Sequence, residues 1–347
     1  MRLIPKAVEE NQYSNFPGPR LLVGSIISIA FLALYSLLVV LDVWPEASAL
    51  PGEVTNWCER AADGLILEPV NTVTNLAFVV VGLLILHRTD LQKISDVNSF
   101  TRNKSMSTVY AGSVMAIGLG SFAMHGTKTE IGSFLDWGGM LVFIFFPPLY
   151  RLKDFLGWSD DALFRNHIIL SILVLGLELL QNSDDILGVG DGLRRFGWFN
   201  GFVWAVMIGF WIILEIRIGL ERTDFSSNLR LIIMSAPPIA LALGTYAYSH
   251  PWEIYLLCAM FVLISVLIND LETPRIERDS QKWVLLGTSS FILGMLVWPY
   301  GKEGSAYCNP DSILQIHGLW HLLCAFATWC FYIHFMSERI IQSDDEE

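Results

Sequence analysis

The stretch "QIHGLWHLLCAFATWCFYIHF", residues 315–335, is apolar and long enough to cross a membrane as one helix. It nevertheless carries His317 and His321, whose spacing of four residues puts both rings on one helix face. A polar side chain inside a membrane helix is unfavourable without a partner, so such a residue is a functional candidate. The segment therefore predicts a membrane-spanning helix with a site near its beginning.

The whole chain has the composition of a membrane protein. Its 347 residues include 53% hydrophobic and 16% charged side chains, and its mean hydropathy is +0.49. A soluble domain is less apolar than this. We predict an all-α, polytopic transmembrane helix bundle of about ten spans, although Pro237 and Pro238 would break one of them. The expected spans are 20–42, 66–87, 108–126, 131–152, 166–187, 196–218, 230–248, 252–271, 283–299 and 312–337.

The distribution of positive charge predicts the orientation of the spans. Seventeen of the 22 Lys and Arg residues fall on the side that holds both termini, and Lys and Arg accumulate in cytoplasmic loops. Both termini are therefore expected in the cytoplasm, with the opposite ends of the helices toward a lumenal, periplasmic or extracellular face. The net charge of −12 adds little to this, and the sequence contains no nucleic-acid signature or phosphate-binding loop.

A third histidine is expected at the same depth as the pair. His125 ends the third span, and His317 and His321 begin the tenth, so all three belong to the outer ends of helices. Three histidines, two of them in a His-x-x-x-His spacing, are a frequent zinc-binding set that leaves a fourth position for water. The alternative is that each ring hydrogen-bonds a neighbouring helix and has no further role.

Two polar residues lie close to His125 in the chain. Ser121 is one turn before His125, and Asp136 is about one turn inside the next span, after a short loop. Helices joined by so short a loop are antiparallel neighbours, so Asp136 should face the same pocket. A catalytic role competes with the alternative that Asp136 bridges helices or orients a histidine.

A second concentration of polar residues precedes the second span, in "NWCERAADGLILEPVNTVTN", residues 56–75. Its carboxylate, amide and main-chain oxygens are ligands of the type that calcium prefers. Acidic residues before a helix are also favoured by the helix dipole alone. Calcium is therefore one of two interpretations of this segment.

Together, these motifs resemble those of the alkaline ceramidases, within the superfamily of intramembrane zinc hydrolases that includes the adiponectin-type receptors. The resemblance covers residues 56–140 and 308–337 and includes the run from Glu68 to Asn75. It implies a seven-helix core, to which this chain adds about three helices. The expected division is 1–50 for the N-terminus and an extra helix, 51–340 for the hydrolase domain with further helices within 196–300, and 341–347 for an acidic tail.

The resemblance also implies an activity and a set of site residues. The activity is zinc-dependent hydrolysis of the amide bond of a ceramide-like lipid, with the membrane lipid as the expected partner. Asp136 would be the general base, and Ser121 would stabilise the reacting oxygen. Two departures affect the calcium site, where Asn56 replaces the family's aspartate and Ala61 replaces an amide. The implied ligands are His125, His317 and His321 for zinc, and Asn56, Trp57, Glu59 and Glu68 for calcium.

Two of the cysteines are candidates for a disulfide. Cys58 and Cys308 both lie in outer segments near the expected site, which suggests a disulfide in an oxidising compartment. The ceramidases have a comparable pair.

A related membrane lipid hydrolase that cleaves another bond, or a receptor-like protein with a structural zinc, would use the same residues. A transporter is less favoured, because no matched pair of broken helices is evident.

Overall fold

The computed structural model describes residues 17–44, 57–181, 199–246, 251–278 and 281–340, which are mostly helical. A 3₁₀ turn, Trp298–Gly301, and an antiparallel ribbon of β1 (Ile276–Arg278) and β2 (Glu338–Ile340) accompany the helices. In chain order, the helices are α1 (Pro19–Val40), α2 (Pro69–Thr74), α3 (Leu76–Leu91), α4 (Ser99–Arg102), α5 (Lys104–Thr127), α6 (Glu130–Leu156), α7 (Asp160–Gln181), α8 (Phe199–Gly219), α9 (Ser227–Tyr246), α10 (Pro251–Asn269), α11 (Lys282–Val297) and α12 (Ile316–Met336).

The architecture is that of a multi-pass membrane bundle. Within the described residues, nine helices are long and apolar enough to cross a membrane, with α2 and α3 counted as one. The apolar part of α10, Ile254–Asn269, is shorter. Each of the predicted spans overlaps one of these helices, which confirms the all-α class. The division into a seven-helix core and about three added helices stays a prediction.

Three details of the predicted spans were wrong. The second span was predicted to begin at residue 66, but it begins at Pro69 and continues to Leu91. Proline is favoured in the first turn of a helix, where its missing N–H is not needed. The seventh span is not broken, since α9 continues through both of its prolines. The last span begins at Ile316 rather than at residue 312, because the backbone of Gln315 is extended and not helical.

Some predicted features lie outside the described residues. These are residues 1–16 of the N-terminal segment, Asn56, the end of the fifth span at 182–187, the beginning of the sixth at 196–198, residues 247–248 of the seventh, and the acidic tail at 341–347.

Helix α5 forms the centre of the half of the bundle that carries the motifs. In its most apolar window, 78% of the residues are buried, against 17% in α1, whose large apolar side chains face outward. Helices α1, α2, α3 and α6 pack around α5. The approach to α6 is close, and a Cβ atom at Gly132 would lie only 2.8 Å from Met124 Cα. This packing fixes the position of α6 relative to the end of α5, where His125 lies.

Candidate metal centre

Three histidines from distant parts of the chain meet at one end of the bundle. His125 lies in the last turn of α5, and His317 and His321 lie in the first two turns of α12. All three rings are buried, and one nitrogen of each lies within 4.8 Å of the others. The histidines that the sequence selects therefore form one buried group that could hold a metal ion.

Local structure explains why these helix ends stay together. Helix α5 ends where Lys128 adopts a left-handed conformation, with φ 51° and ψ 40°. The hydroxyl of Thr129 then accepts a hydrogen bond from the main-chain N–H of Gly132 at 3.1 Å and caps α6. On the other side, a Cβ atom at Gly301 would lie 2.9 Å from the main-chain nitrogen of His317. The 3₁₀ turn thus packs directly on the beginning of α12.

Two of the rings are held from behind by side chains of the second span. His125 Nδ1 donates to Glu68 Oε2 at 2.6 Å, and His321 Nδ1 lies 2.9 Å from Thr74 Oγ1. A metal-bound histidine usually has such a partner on its second nitrogen, because the partner fixes the orientation of the ring. The arrangement therefore directs Nε2 of both rings toward the centre of the group.

The remaining nitrogens lie close enough together to bind one metal ion. His317 Nε2 and His125 Nε2 are 3.1 Å apart. Two nitrogens bound tetrahedrally to zinc at 2.0–2.1 Å are about 3.3 Å apart. His321 Nε2 is buried and has no hydrogen-bond partner within the described residues. A buried polar atom without a partner is unfavourable, and a bound cation would supply one.

Aromatic side chains enclose the group on the side of His317. The Trp57 ring stacks on the His317 ring with centroids 3.5 Å apart and an interplanar angle of 20°. On the neighbouring turn of α12, Trp320 lies nearly parallel to His317, with centroids 5.3 Å apart. These rings limit the access of water to the histidines and restrict how His317 can rotate.

The segment that carries Trp57 is tied to the residues that precede α12. A disulfide joins Cys58 to Cys308, and the main-chain N–H of Cys58 donates to Gly301 O at 2.9 Å. Arg60 forms an exposed two-point ion pair with Asp311, at 2.7 and 3.2 Å, and this pair lowers the pKa of the Asp311 carboxyl. The cysteine pair that the sequence singles out is thus linked in the structure, at the metal centre.

The predicted catalytic residues lie on the two helices α5 and α6, which pack against each other. Ser121 is buried one turn before His125. Asp136 is half-buried on α6, opposite Gly120, where an added Cβ atom would lie 3.1 Å from the main-chain nitrogen of Asp136. Asp136 does not belong to the group whose ligand atoms lie within 4.8 Å of one another. Its predicted role as a base, rather than a ligand, stays a prediction.

The residues predicted to bind calcium take part in protein contacts. Glu59 accepts from the main-chain N–H groups of Val70 and Asn71, at 2.7 and 2.8 Å. Glu68 accepts from His125, and its Oε1 lies 2.8 Å from the ammonium of Lys128. Asn56 lies outside the described residues, so a calcium ion at this position stays a prediction.

The two carboxyl groups differ in their electrostatic environment. For Glu68, burial acts to raise the pKa, but the hydrogen bond from His125 and the charges of His125 and Lys128 outweigh it and lower the pKa below the usual range. For Glu59, burial raises the pKa, and the hydrogen bonds from Asn71 and Val70 only partly offset this effect. Glu68 is therefore the carboxylate that favours an adjacent cation or imidazole N–H.

An apolar cavity of about 410 Å³ lies within the bundle. Its lining includes Trp320, which stacks beside His317, and Glu215 and Ile216 of α8. The other walls are mainly aromatic and aliphatic side chains of α3, α5, α6, α8, α9, α11 and α12. The cavity has the size and apolar lining of a site for a hydrophobic ligand.

Sequence reasoning missed three contacts at the site. Thr74 and Lys128 were not selected, although each is adjacent to a motif residue, and Glu68 was linked with calcium rather than with His125. A fully buried carboxylate on α7, Glu178, was also missed; it accepts from Asn200 at 3.0 Å and lies near enough to Asp136 for their charges to interact. The carboxylate of Glu178 within an apolar span was the available signal.

Comparison of the chain with protein-family models, with curated proteins and with solved structures finds no match.

Proposed function

We propose that this chain is an integral membrane, zinc-dependent amidohydrolase that cleaves the amide bond of ceramide-like sphingolipids into a sphingoid base and a free fatty acid. The observation that carries the proposal is the buried group of His125, His317 and His321, with Nε2 of His321 unpartnered within the described residues. Three neutral imidazoles are the ligand set of many catalytic zinc sites, which keep a fourth position for water or substrate. The sequence resemblance to the alkaline ceramidases supports the choice of zinc and of an amide.

The chemistry divides between the metal and the side chains of this chain. A zinc ion in the site would lower the pKa of a bound water from about 15.7 toward 7 and polarise the scissile carbonyl. Asp136 accepts a proton from the attacking water and later passes it to the leaving amine. Ser121 donates a hydrogen bond to the oxygen on which negative charge develops. Glu68 and Thr74 hold the rings of His125 and His321 in place.

The apolar cavity supports a lipid substrate. Trp320, which lies beside His317, is one of its lining residues, and most of the lining is apolar. An acyl chain in this cavity would leave its amide group near the metal centre, and the second chain of the lipid would remain toward the bilayer. A small polar amide would gain little from such a cavity.

The proposed orientation has the metal centre toward the lumenal, periplasmic or extracellular face, with both termini in the cytoplasm. The disulfide at the metal centre supports it, since disulfides persist in oxidising compartments. An impermeant maleimide applied to sealed membranes of known sidedness tests it. Glu303→Cys, exposed at the metal-centre end, should react from the outer side, and Glu272→Cys, exposed at the other end, only from the cytoplasmic side. The reverse pattern would invert the topology.

The activity is tested by assaying purified protein on ceramide, phytoceramide and an ester-linked lipid. We expect hydrolysis of the amide lipids, a reduction of kcat by about 10²–10³ in Ser121→Ala and by about 10²–10⁴ in Asp136→Asn, and unchanged zinc content in both. Ser113→Ala, a buried serine two turns away on α5, is the matched control. Zinc without hydrolysis of any lipid would favour the receptor-like alternative, and cleavage of the ester alone would indicate a different lipid hydrolase.

A further inference from the structure

Lys128 is the first residue after α5, and its side chain turns back toward the metal centre. The ammonium lies 2.8 Å from Glu68 Oε1, and the side chain is only 12% exposed. The other oxygen of the same carboxylate, Oε2, accepts from His125 Nδ1 at 2.6 Å. Lys128, Glu68 and His125 thus form a continuous chain of contacts that ends at a nitrogen directed toward the metal position.

The backbone of Lys128 is unfavourable for a lysine. Its φ of 51° lies in the left-handed region, where helices usually end on glycine because a Cβ atom is disfavoured there. Within the described residues, Asp42 is the other non-glycine residue with a positive φ. A strained conformation persists where the surrounding structure maintains it, and such positions are frequent at functional sites. Because glycine suits this backbone conformation better, the presence of lysine indicates that the lysine side chain has a role at the site.

The role of the Lys128 side chain follows from the environment of Glu68. The carboxylate is fully buried, and its neighbours at hydrogen-bonding distance are Asn71, His125 and Lys128. Of these three, Lys128 is the residue that contributes an ammonium group, at 2.8 Å from Oε1. A buried carboxylate requires an opposite charge or several hydrogen bonds. Without the ammonium, Oε1 would lose its charged partner, and the carboxylate could turn away from His125.

We propose that Lys128 is a positioning residue of the metal centre: its ammonium anchors Glu68 so that Oε2 holds the His125 ring with Nε2 toward the metal. The inference deepens the proposed function and rests on the metal centre within it. The predicted effect of the Lys128 charge on metal affinity is opposite to the usual one. A positive charge near a cation normally weakens binding of the cation, whereas here removal of the positive charge weakens it, because the histidine loses its orientation.

The test is the zinc dissociation constant of metal-depleted protein, measured by competition with a chromophoric chelator. We expect Lys128→Met and Lys128→Gly to weaken zinc binding by about 10- to 100-fold, the usual effect of losing a partner of a metal-bound histidine. Lys128→Arg should restore most of the affinity. Lys302→Met is the matched control, because Lys302 is a cation at the same end of the molecule whose ammonium lies over the Trp298 ring, 4.3 Å from its centroid.

Two comparisons separate the proposal from its alternatives. If the backbone at the end of α5 were the cause, Lys128→Gly would bind zinc as the wild type does, and this would overturn the proposal. In a Glu68→Gln background, Lys128→Met should have little further effect, since it acts through Glu68; a full additional loss would also overturn it. Wild-type protein that binds no zinc would instead contradict the proposed function itself, so the two failures are distinguishable.

Discussion

At the scale of single residues, the site depends on the side chains behind each histidine as much as on the histidines. Glu68 and Thr74 come from the second span, and Trp57 comes from the segment before it. The contacts of Glu68 and Thr74 fix which nitrogen of His125 and His321 faces the metal position, and Trp57 restricts the rotation of His317. Loss of the hydrogen-bond partner of a metal-bound histidine commonly weakens metal binding by one to two orders of magnitude.

Thr74→Val should weaken zinc binding by about 10-fold or more. Its hydroxyl is 2.9 Å from His321 Nδ1, and valine has the same shape without the hydroxyl. Thr72→Val is the matched control, because the Thr72 hydroxyl is buried on the same short helix and has no partner within the described residues. Chelator competition measures both variants, and equal affinities for the two would contradict the role of Thr74.

The histidine set could be predicted from the sequence because its signal is local. The sequence shows the i, i+4 spacing of His317 and His321 directly. It also shows His125 in an apolar span, where a polar side chain without a partner is unfavourable. The partners were harder to find, since Lys128 reaches Glu68 only through a left-handed turn and Thr74 meets His321 across 247 residues. Such contacts depend on tertiary packing, which residue spacing does not encode.

At the scale of elements, the second span joins the two halves of the site. Its first turns, α2, carry Thr74 and pack against α12, and the helix continues through Asn75 into α3 as one span. The sequence predicted this single span from apolar length. The segment before α2 is linked to the residues that precede α12 by the disulfide and by Arg60 with Asp311.

Replacing Cys58 and Cys308 together by alanine should lower the free energy of unfolding by about 2–4 kcal/mol. The bond links residues 250 positions apart and holds the Trp57 segment over His317. Cys258→Ala, a partly exposed free cysteine on α10, is the control and should change little. Thermal unfolding of both variants in the same detergent is the measurement, and an unchanged midpoint for the double variant would argue against a stabilising bond.

At the scale of the whole molecule, the end of the bundle opposite the metal centre is closed by a buried ionic network. Arg151 of α6 contacts Glu215 of α8 and Glu338 of β2, and Arg278 of β1 contacts the same two carboxylates. Glu215 also lines the apolar cavity. The network thus ties four elements together next to part of the cavity lining.

Arg151→Met should lower the free energy of unfolding by about 3–5 kcal/mol, since removing one partner leaves buried carboxylates without their full complement of charge. Arg222→Met is the matched control, because the Arg222–Glu277 pair lies at the same end but has side chains 75% and 47% exposed. An exposed pair contributes about 0–1 kcal/mol. Equal unfolding midpoints for the two variants in detergent would contradict a stabilising role for the network.

The ionic network could not be predicted from the sequence. Arg151, Arg278 and Glu338 look like ordinary charged residues at span ends, and the ribbon of β1 and β2 that joins two of them gives no hydropathy signal. The membrane class and the approximate spans, by contrast, followed from apolar length alone.

The central claim is that His125, His317 and His321 bind one zinc ion, and zinc content per chain tests it most directly. Purified wild-type protein should contain about one zinc ion per chain. His321→Ala should contain almost none, while His87→Ala, an exposed histidine at the opposite end of α3, should keep it. A wild-type protein without zinc after purification in zinc-supplemented buffer, or His321→Ala with full zinc content, would contradict the account.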